Sequence, residues 1–196
     1  MQQRSLAVLL GYAAAALAKT PDGFQPASNN DLIVAFGAQS ALNGVNLPKA
    51  DTAQEPTFGT TEPLTGKSFA IIMVDIDVPS AAGTFLHWAQ TDLAPDATTK
   101  TVQLGADGER TIHTLSIAGG AAAIADYRGP SPPARNPLTH RYVEILVDTS
   151  DITPEGTQAL QALSNRQGAQ VNDVLTQAGL ANKVVAGNFF TVTNGQ

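Results

Sequence analysis

The sequence predicts a mainly β fold with peripheral helices gathered towards its C-terminal end. Three observations carry this. Residues 68–74 (SFAIIMV) form a continuous apolar run of strand length. Further β-rich runs follow at 85–93, 110–117 and 141–147. Clear helix-start chemistry occurs only late, at Thr153-Pro154-Glu155. Five or six strands at irregular spacing followed by helices fit a β domain with helices at its periphery.

Each element has its own signal. Residues 19–66 are rich in Pro, Gly, Asn and Thr and read as loop with one or two edge strands, the best being 32–36 (LIVAF). The run at 68–74 is apolar on both alternating sets, so it reads as a strand buried on both faces. Residues 85–93 alternate well enough for a second strand. In 110–117 (RTIHTLSI), Ile112, Thr114 and Ser116 share one face and Thr111, His113, Leu115 and Ile117 the other. Residues 141–147 (RYVEILV) are again β-rich. Thr153 suits an N-cap and Pro154 the first helical position, with Glu155 in the first turn and Leu160 and Leu163 as the buried residues. A second short helix is expected over 171–178, stopped by Gly179. A last strand covers 188–192 (NFFTV).

Composition excludes several classes. A chain of 196 residues fits one domain, 19–196, and buries about 70% of its unfolded surface without needing a staple. It has no cysteine, which removes disulfides and thiolate metal centres. Net charge is −6 with 11 Lys and Arg and no basic run, which argues against nucleic-acid binding. Residues 1–18 (MQQRSLAVLLGYAAAALA) have the pattern of a secretory signal peptide, being too short for a transmembrane helix; an N-terminal amphipathic helix packing Leu6, Leu9, Leu10 and Leu17 is the other reading. The chain is thus expected to be secreted, or cytoplasmic if that segment is structural. Thr65-Gly66-Lys67-Ser68 resembles the end of a phosphate-binding loop, but Thr61 stands where the upstream glycine is required. No metal and no cofactor is expected.

Two stretches, whose histidines lie 53 residues apart, concentrate the chemistry. The first places Asp75 and Asp77 at the end of the apolar strand, with Pro79, then His87 and Trp88. On a strand, positions i and i+2 share a face, and two close carboxylates raise one pKa, which suits proton exchange or fixing a histidine tautomer. The plainer alternative has Asp77 opening the turn before Pro79 and Asp75 capping loop amides. The second stretch runs from Tyr127 through Gly129-Pro130-Ser131-Pro132-Pro133 to His140-Arg141. Its prolines fix φ and cannot donate, giving a rigid connection. His140 and Arg141 offer an ionisable donor and a permanent fork of donors suited to carboxylate or phosphate, although Arg141 could equally brace the loop through a carboxylate. His113 has no polar cluster near it and reads as structural.

In order, Asp75-Ile76-Asp77-Val78-Pro79, His87-Trp88, Tyr127-Arg128-Gly129-Pro130-Ser131-Pro132-Pro133, His140-Arg141-Tyr142 and the closing Asn188-Phe189-Phe190 resemble the phosphatidylethanolamine-binding protein family, from about residue 30 to the end. Thr20-Pro21-Asp22-Gly23-Phe24 resembles the secreted fungal branch. There are departures: Ile76 replaces a proline, Leu138 replaces a glycine, residues 134–138 lengthen the loop, and Thr191 follows the two phenylalanines where an aromatic often shapes the mouth.

The resemblance implies an antiparallel β-sandwich and a small pocket for phosphate- or carboxylate-bearing ligands. Asp75, Asp77, His87, Tyr127, Gly129, Pro130, His140, Arg141 and Phe190 are its expected ligand-binding residues. The expected partners are a small anionic ligand or a phospholipid headgroup, with a protein partner as a further possibility. Other family members are kinase or protease inhibitors and signalling modules, and some fungal members are associated with dimerising maleic-anhydride monomers into maleidrides. If this chain is such an enzyme, His87, His140 and Asp75 are its catalytic residues. The resemblance also implies a cis Val78–Pro79 peptide. As polar pocket residues, both histidines are expected to be dispensable for folding, at less than about 1–2 kcal/mol each.

Overall fold

The computed structural model describes residues 19–79, 81 and 83–195, so the signal-like segment 1–18 lies outside the described residues. Among the described residues, nine strands, two short α-helices and short 3₁₀ turns follow one another. The strands are β1 (Ile33–Phe36), β2 (Gln39–Ser40), β3 (Asn46–Leu47), β4 (Thr57–Thr60), β5 (Phe69–Asp75), β6 (Phe85–Gln103), β7 (Glu109–Ile117), β8 (Thr139–Asp148) and β9 (Val184–Thr193). The helices are α1 (Pro154–Leu160) and α2 (Val171–Gln177). None is long and apolar enough to cross a membrane.

The strands join in the order β2-β1-β4-β7-β6-β5-β8-β9-β3. Every pair is antiparallel except β3 with β9. The expected sandwich is therefore made by one hydrogen-bonded sheet that curls over itself. Phe36 of β1 and Phe190 of β9 are six places apart in the strand order, yet their rings meet edge-on at 5.3 Å. The Leu32 amide donates to the Gly187 carbonyl at 3.0 Å, nearly closing the sheet.

β5 explains the two-sided core. Phe69, Ile71 and Met73 face the interior of the curl with Leu32, Val34, Trp88, Tyr142, Leu146 and Phe190. Ile72 and Val74 face the other way, against Leu160, Leu163, Val171, Val174 and Leu175 of the helical layer. A strand covered on both faces can be apolar at every position, which is what 68–74 showed. The helices begin as expected: the Thr153 hydroxyl accepts from the Gly156 amide at 3.1 Å, and Pro154 opens α1. After α2, Gly179 takes a left-handed φ of 73° that lets the chain turn away.

Three expectations are corrected. The 32–36 strand is interior to the sheet and fully buried; the edges are instead the two-residue β2 and β3, too short to template another chain. β6 does not stop at residue 93 but runs 19 residues to Gln103, because a register shift between Pro95 and Thr99 absorbs the proline, and Asp92 takes a positive φ of 57°. The cis peptides are Gln25–Pro26 and Asn136–Pro137, not Val78–Pro79, where the Asp75 and Asp77 hydrogen bonds described below hold the turn.

Candidate functional site

The end of β5, the start of β6 and the start of β8 meet where the proline-rich loop 127–138 crosses them. Their side chains bound a cavity of about 190 Å³ lined by Asp75, Val78, Phe85, His87, Arg128, Ser131, Pro133 and His140. The loop is fastened to β6 through its backbone: the Arg128 amide donates to the His87 carbonyl at 2.9 Å. Arg166 bonds the carbonyls of Leu86, His87 and Asp126, tying the loop to the same strand.

The two histidines are held differently. His140 is fully buried, and both ring nitrogens are occupied: Nδ1 lies 2.7 Å from Asp75 Oδ2 and Nε2 lies 3.1 Å from the Pro137 carbonyl. A carbonyl can only accept, so Nε2 carries a proton. Burial raises the Asp75 carboxyl above its ordinary value against the opposing pull of the His140 hydrogen bond. The other Asp75 oxygen accepts the Asp77 amide at 2.9 Å.

His87 is also buried, but only Nδ1 is used, donating to the Arg128 carbonyl at 2.6 Å. Nε2 has no partner among the described residues. It is absent from the sealed, unpaired polar atoms, which are Asp31 Oδ1, Tyr142 OH and Asn188 Oδ1. With the proton on Nδ1, Nε2 is an acceptor, and the His87 side chain lines the cavity. Burial lowers the His87 pKa to about 4, so the ring is neutral at ordinary pH.

The donors come from the loop. The Arg128 guanidinium sits 5.3 Å above the Phe85 ring at the cavity rim. The Ser131 hydroxyl accepts from the Lys49 ammonium at 2.8 Å, which leaves its own proton free to donate.

Asp75, His87 and His140 thus line one cavity, whereas the other expected site residues lie outside its lining. Asp77 and Arg141 form a two-pronged ion pair at 2.8 and 2.6 Å, and the Arg141 amide adds a third bond to Asp77. Burial pushes the Asp77 carboxyl up, but these bonds outweigh it and hold it below its ordinary value. Arg141 is the brace its alternative reading allowed, and it faces a different hollow of about 330 Å³ beside Phe24 and Val171. Tyr127 donates to the Thr52 carbonyl at 2.8 Å and packs edge-on against Trp88. Gly129 passes so close to Thr52 that an added Cβ would sit 2.9 Å from its carbonyl oxygen. Pro130 is buried. Phe190 is fully buried and stacks on Tyr142 at 5.5 Å, behind the site. A hollow of about 380 Å³ beside Trp88 is larger than the histidine cavity, yet neither His87 nor His140 borders it.

Sequence reasoning passed over Arg128, Ser131 and Phe85. Arg128 and Ser131 stand within the quoted loop motif as variable positions. Phe85 is two residues before His87, on the same face of β6.

The comparisons agree with this fold. The family model for phosphatidylethanolamine-binding protein matches residues 29–190, and the chain belongs to that family. Among solved structures it is similar to a carboxypeptidase Y inhibitor complexed with its cognate proteinase (21% identity, 83% of this chain and 82% of that one, TM-score 0.58). It is also similar to a phosphatidylethanolamine-binding protein from Plasmodium vivax (17% identity, 83% and 84%, TM-score 0.53). At these identities the likeness is one of fold. No curated protein matches the chain.

Proposed function

We propose that the chain is a binding protein for small oxyanion-bearing ligands, the recognised chemistry being a phosphate group, whether free or on a phospholipid headgroup. The observation that carries the reading is the 190 Å³ cavity lined together by the donor-bearing Arg128 and Ser131 of the loop and by Asp75, His87 and His140 of the strands. A cavity of that size suits a single phosphate group, and a guanidinium over an aromatic ring is a fixed cation for it.

Acid–base turnover on small organic acids is less well supported. Both nitrogens of His140 are spent inside the protein, and His87, held to about 4, is a weak base at neutral pH. The likeness to the carboxypeptidase Y inhibitor is one of fold and favours no particular protein partner.

The test is a titration with inorganic phosphate and with phosphoethanolamine, read by calorimetry and by amide shifts of residues 128–133. Binding is expected, and Arg128→Ala is expected to weaken it by at least tenfold, about 1.4 kcal/mol. No binding by either probe, or undiminished binding in the variant, would overturn the reading.

A further inference from the structure

We infer that the cavity selects oxyanions that still carry a proton, so that hydrogen phosphate is accepted and fully deprotonated anions of the same shape, such as sulfate, are rejected. This rests on the oxyanion reading above and narrows it to hydrogen phosphate and to phosphate monoesters below their second pKa, leaving out phosphodiester headgroups, which carry no proton.

The argument is geometric. The Arg128 carbonyl, 2.6 Å from Nδ1 of His87, fixes the ring in the Nδ1–H tautomer. The loop cannot easily relax that contact, because the Arg128 amide returns a bond to the His87 carbonyl and Arg166 grips the same carbonyl at 3.0 Å. Nε2 consequently meets a ligand only as an acceptor. The neighbouring Asp75 has both oxygens engaged and offers no donor in their place. His140 has no free nitrogen either. The donors, Arg128 and Ser131, are on the loop side.

A ligand filling the cavity must therefore accept from the loop and donate to His87. A tetrahedral oxyanion bearing one OH does both. An anion without a proton places an oxygen against the lone pair of a ring that is itself only 5% exposed, where an unmade hydrogen bond is expensive. The groups acting on His87 do not undo this. Burial, Arg128, Arg166 and His140 all disfavour its protonation, and only the Arg128 carbonyl opposes them. Phe85 and Tyr142 meet its ring edge-on at 5.2 and 5.1 Å.

The probes are inorganic phosphate, sulfate and methyl phosphate, with the whole protein. At pH 7.5 phosphate keeps a proton and sulfate has none, so sulfate is expected to bind at least tenfold more weakly. Methyl phosphate should lose affinity as pH rises through about 6–7, where it loses its last proton, while inorganic phosphate shows no such loss. In His87→Gln the amide can turn to donate, and sulfate should approach phosphate within about threefold. Equal binding of phosphate and sulfate by the wild-type protein overturns the inference and leaves the oxyanion reading standing. Failure of both to bind overturns both. If the variant does not fold, imidazole nitrogen shifts of wild-type His87 decide independently: an Nε2–H tautomer overturns the inference.

Discussion

Glu144 is the residue whose environment departs furthest from its chemistry. It sits mid-strand in β8, 1% exposed, where the Asn188 amide donates to it at 3.1 Å, and burial pushes its carboxyl up to about 8. The folded protein keeps this proton while an unfolded chain releases it near 4.5. Its contribution to stability is thus complete below about pH 4.5 and is lost as pH rises through about 8. Glu144→Gln should flatten that dependence, gaining roughly 2–4 kcal/mol over the wild type between pH 5 and 8.5 in urea unfolding. His140 calls for a second prediction. The expectation that it is dispensable for folding does not fit a side chain buried between Asp75 and Pro137. His140→Ala strands the Asp75 carboxyl and should cost roughly 2–4 kcal/mol by the same method. His87→Ala, whose only partner is one loop carbonyl, should cost roughly half that or less.

At the scale of elements, the site is a junction of three strand ends and a loop, and the anchors lie outside the cavity lining. The Asp77–Arg141 pair locks the end of β5 to β8, while Arg166 holds the loop to β6. The helical layer is pinned by one cap. Thr153→Ala removes the hydroxyl that accepts the Gly156 amide and should destabilise by about 1 kcal/mol without changing phosphate affinity, since α1 lies outside the cavity lining. A thermal melt beside a phosphate titration checks both halves of that statement.

At the scale of the whole molecule, the sequence could reveal what depends on local pattern and not what depends on the curl. The apolar run of β5 announced burial on two faces. The Thr153-Pro154 signal announced α1. The ordered acid, histidine and proline pieces announced that Asp75, His87 and His140 belong together. The accommodation of Pro95 inside β6 was illegible, because a proline ordinarily ends a strand. So was Glu144: in RYVEILV it alternates like a half-solvated strand, and only the opposite half of the curled sheet covers it. The roles of the His140 nitrogens were hidden for the same reason, since the capping carbonyl belongs to a lengthened loop whose path no periodicity encodes.

The bond between the Leu32 amide and the Gly187 carbonyl has a consequence for biosynthesis. A partner some 155 residues downstream cannot be met until nearly all of the chain has left the ribosome. Until then Leu32, Val34 and Phe36 lack the cover of Ala186, Phe190 and Val192, whereas Ile33 and Ala35 already pack against Leu42, Val102, Leu104 and Ile112. The closure is a late, long-range event, so refolding should fall in the millisecond-to-second range of β-rich topologies and not in the microsecond range of helical ones.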